Sequence, residues 1–212
     1  MASSPLVAPE LTTLTVEGHT RSAFLVRATL AAGATYGALS ATPFITKALA
    51  QDSMGDIDIL NYALTLEYLE AEFYKLGLQQ VKGLSGDEKK LAKEIRDNED
   101  EHVDALIATV KKLGGDPVAK PKLDFGGAFG SRGVFLKTAN SFEDLGVSAY
   151  NGAAPAIEST EVLGAAGSIV QVEARHAALI RLTRGKPPAP QAFDKAAEME
   201  SVLKKVTPLI KS

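Results

Sequence analysis

The sequence predicts an all-α protein: a four-helix bundle with a long crossover between its second and third helices and a short fifth helix near the C-terminal end. Three observations carry this expectation. Apolar residues recur at spacings of three and four through four long stretches. Strand signals are poor, because aromatics are only 6% and no run alternates apolar with polar residues. One connection is much longer than the others: residues 114–133 hold Gly114, Gly115, Gly126, Gly127, Gly130 and Gly133 together with Pro117 and Pro121.

The elements follow in chain order. Asp56 and Asp58 open the first helix, which is expected to reach about Gln80. Ser85-Gly86-Asp87-Glu88 is a capping box, with Ser85 at the N-cap and Glu88 three residues on. The helix it starts runs to about Leu113, where Lys111 and Lys112 suit the last turn and Gly114-Gly115 stops it. A third helix is expected over about Val134–Ala154, ending before Pro155, and a fourth over about Ser159–Thr183. Gly185-Lys186-Pro187-Pro188-Ala189-Pro190 then breaks the chain. Phe193 to Ile210 reads as a short amphipathic fifth helix, with Phe193, Ala197, Val202, Val206 and Ile210 on one side.

The first fifty residues differ from the rest. Arg21 and Arg27 flank an apolar stretch, an uncharged Ala/Gly/Thr/Leu run follows, and Ala48-Leu49-Ala50 makes an A-x-A cleavage signal. Thr20-Arg21-Ser22-Ala23-Phe24-Leu25 resembles the twin-arginine export signal, with Ser22 in the place of the second arginine. Residues 1–50 are thus expected to be an export leader, which would make the protein periplasmic or otherwise extracytoplasmic; the other reading is the tail of a cytoplasmic protein. Gly33, Gly37 and Pro43 argue against a stable membrane span. The division expected is leader 1–50, bundle 51–184, and linker plus helix 185–212.

Composition narrows the chemistry. Hydrophobic residues make up 45% of 212, enough for a sizeable core, and the net charge of -3 comes with no basic patch that would suit a nucleic acid. Without cysteine there can be no disulfide, thiolate metal site or Cys nucleophile.

The apolar stripes carry the function. The first runs Leu60, Leu64, Glu67, Ala71, Tyr74, Leu78, and the second Leu91, Ile95, Glu99, His102, Leu106, Val110, Leu113. The third runs Leu136, Ala139, Glu143, Gly146, Tyr150, Ala154, and the fourth Val162, Ala166, Ile169, Glu173, His176, Ile180. Each helix therefore points one glutamate inward near its middle, and two of them add a histidine one turn later. Buried charge is costly unless it is paired or binds metal. Two divalent cations cancel four carboxylates, and two imidazoles add neutral nitrogen ligands. A Glu from each of two helices plus Glu-x-x-His from each of the other two is the ligand set of ferritin-like di-iron and di-manganese proteins. Glu67, Glu99, His102, Glu143, Glu173 and His176 are accordingly the expected metal ligands, for two Fe or two Mn ions, which these donors suit alike.

Chance is a poor account of the pattern. The three histidines are His19, in the leader, His102 and His176. With Glu at about one position in fourteen, a Glu three before both remaining histidines is roughly a one-in-two-hundred coincidence. The chain also repeats itself: Tyr74 follows Glu67, and Tyr150 follows Glu143, by seven residues. Two similar helix pairs imply a pseudo-two-fold site. Tyr74 and Tyr150, two turns from the glutamates, could hydrogen-bond a ligand carboxylate from behind. Glu70 flanks the first stripe and could do the same. Glu72, Glu101 and Asp104 read as surface residues, and Glu158 and Glu161 suit the start of the fourth helix.

Leu64-Thr65-Leu66-Glu67-Tyr68-Leu69-Glu70-Ala71-Glu72-Phe73-Tyr74 resembles the first helix of the ferritin-like proteins grouped with plant desiccation-related proteins and their bacterial and fungal relatives. Asn98-Glu99-Asp100-Glu101-His102, Phe142-Glu143-Asp144-Leu145-Gly146-Val147-Ser148-Ala149-Tyr150 and Glu173-Ala174-Arg175-His176-Ala177 resemble their second, third and fourth helices, so the likeness covers residues 56–183. All six ligand positions are present. The resemblance implies the fold and the metal site but no single reaction, since the wider superfamily includes ferroxidases, manganese catalases, oxygenases and rubrerythrin-like peroxidases. A redox or oxidative-stress role is expected, with ferrous iron or a small oxidant such as peroxide as the partner. The alternative is a non-enzymatic desiccation-protective protein whose metals are structural. Iron storage in a cage fits the long glycine-rich connection and the leader poorly. Either a monomer or a dimer is compatible with the sequence.

Overall fold

A computed structural model describes residues 55–211. The expected leader lies outside the described residues. Helix α1 spans Asp56–Gln80, α2 Gly86–Lys112, α3 Arg132–Ala153, α4 Thr160–Thr183 and α5 Met199–Val206. Helix α1 packs most closely on α2, and α3 on α4. The all-α crossover bundle expected from the sequence is the fold found. Among the described residues, no helix is long and apolar enough to cross a membrane.

Local chemistry sets the helix ends. Both arms of the capping box form: the Glu88 N–H donates to the Ser85 hydroxyl (3.2 Å), and the Ser85 N–H donates to the Glu88 carboxylate (2.8 Å). Ser131 and Ser159 cap α3 and α4 by accepting from Val134 and Val162. Asp56, in the first turn of α1, accepts from the backbone N–H groups of Glu158 and Ser159, at 2.8 Å each, and so ties the start of α1 to the start of α4.

The connection from α2 to α3 must travel the length of the bundle. Lys112, at the end of α2, pairs with Glu161 at the start of α4. Arg132, at the start of α3, instead pairs with Glu88 at the start of α2. The segment climbs α1 between these points. Buried Asn61 donates to the Asp116 carbonyl (3.1 Å) and accepts from the Val118 N–H (2.7 Å), and Lys120 meets Glu72 at 2.5 Å. It is not wholly irregular: Gly126–Phe129 form a 3-10 turn, and Lys122–Leu123 (β1) pair antiparallel with Ile210–Lys211 (β2). This two-residue ladder joins segments far apart in sequence, so no local pattern announces it.

The fifth helix is shorter than its apolar spacing suggests. It begins at Met199, and Phe193 is 86% exposed. The Ala197 N–H donates to the Ser148 carbonyl of α3 (2.8 Å), so the backbone there is used in docking and not in a helix. Val202, Leu203 and Val206 are buried, and Pro208 follows in a 3-10 turn.

Candidate metal centre

All six expected ligands are buried, and the four glutamates are fully so. They converge from four helices: Glu67 from α1, Glu99 and His102 from α2, Glu143 from α3, Glu173 and His176 from α4. Their donor atoms form two groups able to hold a metal ion, Glu67–Glu99–His102–Glu173 and Glu99–Glu143–Glu173–His176, each with all atoms within 4.8 Å of one another. Glu99 and Glu173 belong to both groups. Glu67 with His102 and Glu143 with His176 each belong to one group alone.

The donors aim at shared points more than at each other. His102 Nδ1 lies 2.9 Å from Glu99, 3.1 Å from Glu173 and 3.3 Å from Glu67, and His176 Nδ1 lies 2.9 Å from Glu99 and 3.5 Å from Glu143. Although close to one another and buried, Glu99 Oε1, Glu143 Oε2, both Glu173 oxygens and His176 Nδ1 make no well-aligned hydrogen bond. Buried polar atoms without partners are rare and costly. Around an octahedral divalent ion with bonds of ~2.1 Å, adjacent donors stand ~3 Å apart. The donor set and these orphaned atoms fit a pair of such ions.

Electrostatics points the same way. Burial raises Glu67 to about 7 and raises Glu143 as well, and it drives Glu173 well above the carboxylate range, with the neighbouring carboxylates adding to the last. Burial opposes ionisation of Glu99 too, but His102 and His176 outweigh it and hold Glu99 at about 2. Burial would likewise lower both histidines; their carboxylate partners prevail and lift His102 to about 12 and His176 to about 10. Without metal the carboxylate cluster thus draws protons onto the imidazoles, which then supply the positive charge it needs.

The surrounding residues fix the donors. Tyr150 donates to Glu67 Oε1 at 2.5 Å, and Tyr74 donates to Glu143 Oε1, so the pseudo-two-fold is reproduced with each tyrosine serving the other half's glutamate. Asn98 Nδ2 lies 3.0 Å from His176 Nε2. With Nδ1 turned to a metal, Nε2 carries the proton, and the Asn98 amide would present its oxygen to accept it. Nothing in the helix periodicity singled out Asn98.

Glu70, which flanks the first stripe and from there could bond a ligand carboxylate from behind, lies in the core. It is 3% exposed, and its Oε2 has no partner. Burial and the charges of Glu173, Glu143, Glu99 and Glu67 push it well above the usual carboxylate range. It fits because the facing residue is Gly146: a Cβ there would lie 3.2 Å from both Glu70 Oε1 and Glu173 Oε2. Glu70 stands three after Glu67, and Gly146 three after Glu143. The repeat thus breaks its symmetry at one matched position, and comparing its two halves would have exposed the pair. Glu72 is only partly exposed and binds Lys75 and Lys120, whereas Glu101, Asp104, Glu158 and Glu161 are exposed as expected.

A four-helix crossover bundle with a buried cluster of four glutamates and two histidines able to hold metal is the architecture of a ferritin-like protein. The model of the ferritin-like domain family matches residues 55–186, well over half of the chain, and the protein belongs to that family. No curated protein matches the chain.

Proposed function

We propose that the protein binds two iron or manganese ions and uses them in redox chemistry, oxidising ferrous iron or removing peroxide. The observation that carries this reading is the pair of donor groups sharing Glu99 and Glu173, with buried oxygens otherwise unpartnered. Glu67, Glu99, His102 and Glu173 would hold one ion, and Glu99, Glu143, Glu173 and His176 the other. When bound, two such ions would supply electrons and Lewis acidity for a small oxidant. The chain's own residues would hold that pair in place: Tyr74 and Tyr150 orient the flanking carboxylates, and Asn98 orients His176. Glu70, buried beside Glu173, would add a further carboxyl group next to that ligand. The leader-like residues 1–50 support action outside the cytoplasm.

The test is to load metal-free protein with ferrous iron without oxygen, admit air, and follow near-ultraviolet absorbance. Rapid growth of absorbance from oxidised iron is expected. No reaction with air, and none with peroxide after manganese loading, would instead favour the protective protein with structural metals. Glu99→Ala or Glu173→Ala should impair both ions, whereas Glu67→Ala or Glu143→Ala should impair one. Full two-metal content by elemental analysis in any of these variants would refute the assignment.

A further inference from the structure

The bundle contains an apolar cleft that none of these roles uses. Its volume is about 40 Å³, and all four long helices wall it, with Ile157 between the last two. Ala105 of α2 and Ala165 of α4 line it and are exposed, so it meets the surface between these sparsely packed helices. Tyr150 lines it as well, and the Tyr150 hydroxyl bonds Glu67 at 2.5 Å. The cleft therefore opens to solvent and shares one wall residue, Tyr150, with the candidate metal centre.

Its chemistry selects an occupant. The wall is almost entirely Ala, Leu, Ile and Val, with Tyr62, Tyr150 and Thr109 the exceptions. The Tyr150 hydroxyl is committed to Glu67, and the Thr109 hydroxyl donates to the Ala105 carbonyl (2.8 Å). Tyr62, 1% exposed, carries the one buried side-chain polar atom among the lining residues that lacks a partner. A buried water needs two to four polar partners, and apolar cavities that offer fewer stay dry. A volume of 40 Å³ has room for about three waters, well below the ~150 Å³ cavity that admits benzene. The occupant is thus a molecule of two or three heavy atoms with little need for hydrogen bonds. Hydrated ferrous ion and hydrogen peroxide would each lose solvation here that one hydroxyl cannot replace. Dioxygen, apolar and weakly hydrated, loses little.

We propose that this cleft is a dioxygen-binding site that feeds the metal centre, so that the oxidant of the proposed redox reaction is dioxygen. As a claim about the reaction, the proposal rests on the redox reading above; as a claim about a gas site, it does not. Xenon tests it, because it fills dry apolar cavities. Metal-free crystals pressurised with xenon should show one atom in the cleft, and Ala166→Leu should abolish it. An empty cleft under xenon, or one filled with ordered water, would overturn the proposal. A second arm uses iron-loaded protein. Ala166→Leu, and Ala105→Phe at the exposed rim where folding is not at stake, should slow oxidation by dioxygen at least tenfold while leaving oxidation by peroxide within twofold. Equal slowing of both oxidants, or of neither, would sink it. Xenon in the cleft of a protein that does not react with air would keep the gas site and remove the redox reading.

Discussion

The two ends of the bundle, on either side of the converging carboxylates, are built from opposite materials. Toward the end of α1 and the start of α3, Phe73 sits among Phe125, Phe129, Phe135 and Phe142, with ring centroids 4.9 to 5.4 Å apart. Phe135 presses onto Gly77 so closely that a Cβ there would lie 2.2 Å from its ring. At the other end the facing positions are Ala63, Ala105, Ala149, Ala153, Ala165 and Ala166, and the cleft lies between them. Aromatic rings fill one end to close packing, while alanines leave the other open. The metal centre thus has a sealed side and an accessible one, a difference that its pseudo-two-fold ligand set does not share.

The largest expected contrast is in stability. Phe73→Ala should destabilise the protein by about 3–5 kcal/mol, because it empties the centre of the aromatic cluster. Ile169→Ala, in the cleft wall, should cost about 2 kcal/mol, at the low end for its type, because its neighbours already border free space. Urea denaturation of both variants measures this, and equal losses would break the comparison. Chelation bears on both ends at once. If free metal stands at a thousand times the Kd of each site, removing the ions should cost about 4 kcal/mol per ion and lower the Tm by several degrees. An unchanged Tm after verified metal loss would contradict the site's structural contribution.

Adding bulk should discriminate in the opposite sense. Gly77→Ala should cost about 1–3 kcal/mol, since the Phe135 ring must move. Ala166→Leu should cost less than about 1 kcal/mol, since it enters existing space. The tyrosines sharpen the comparison at the site itself. Tyr74→Phe should weaken the ion bound by Glu143 and His176 about tenfold, and Tyr150→Phe the ion bound by Glu67 and His102, as read by metal titration.

A last contrast lies in the pH dependence of the metal-free protein. Glu67 is raised to about 7 and His102 to about 12, so the folded site binds more protons than the unfolded chain does. The Glu67 contribution falls away between the unfolded value near 4.5 and about 7, and the histidine contribution between about 6.5 and 12. The Tm of metal-free protein should therefore drift down from pH 5 to pH 9 relative to that of the metal-loaded form. A rise in that difference would contradict the proton-for-metal exchange at the centre.

The fold and six of the site's side chains were legible because they share one physical signal. A helix that buries one face records its inward positions at every third or fourth residue, and a charge at such a position needs a reason. Glu67, Glu99, Glu143 and Glu173 each broke an apolar stripe, and that placed them in the core before any coordinates. Glu70 escaped this logic, because its burial depends on the missing side chain of Gly146 across the bundle. Asn98 escaped too, since it earns its place by distance to His176 and not by a stripe. The fifth helix was overextended because apolar spacing counted Phe193 and Ala197, while the Ala197 N–H was spent on α3.

By itself, then, the sequence determined the helices, the crossover and the set of inward donors, all of which follow from periodicity and local capping. Tertiary structure alone decided which carboxylates belong to both donor groups, which end of the bundle is filled by aromatic rings, and how deeply Glu70 is buried. Those depend on which side chains of different helices meet, and on where a glycine or an alanine leaves room. Helical spacing within one segment carries no record of either.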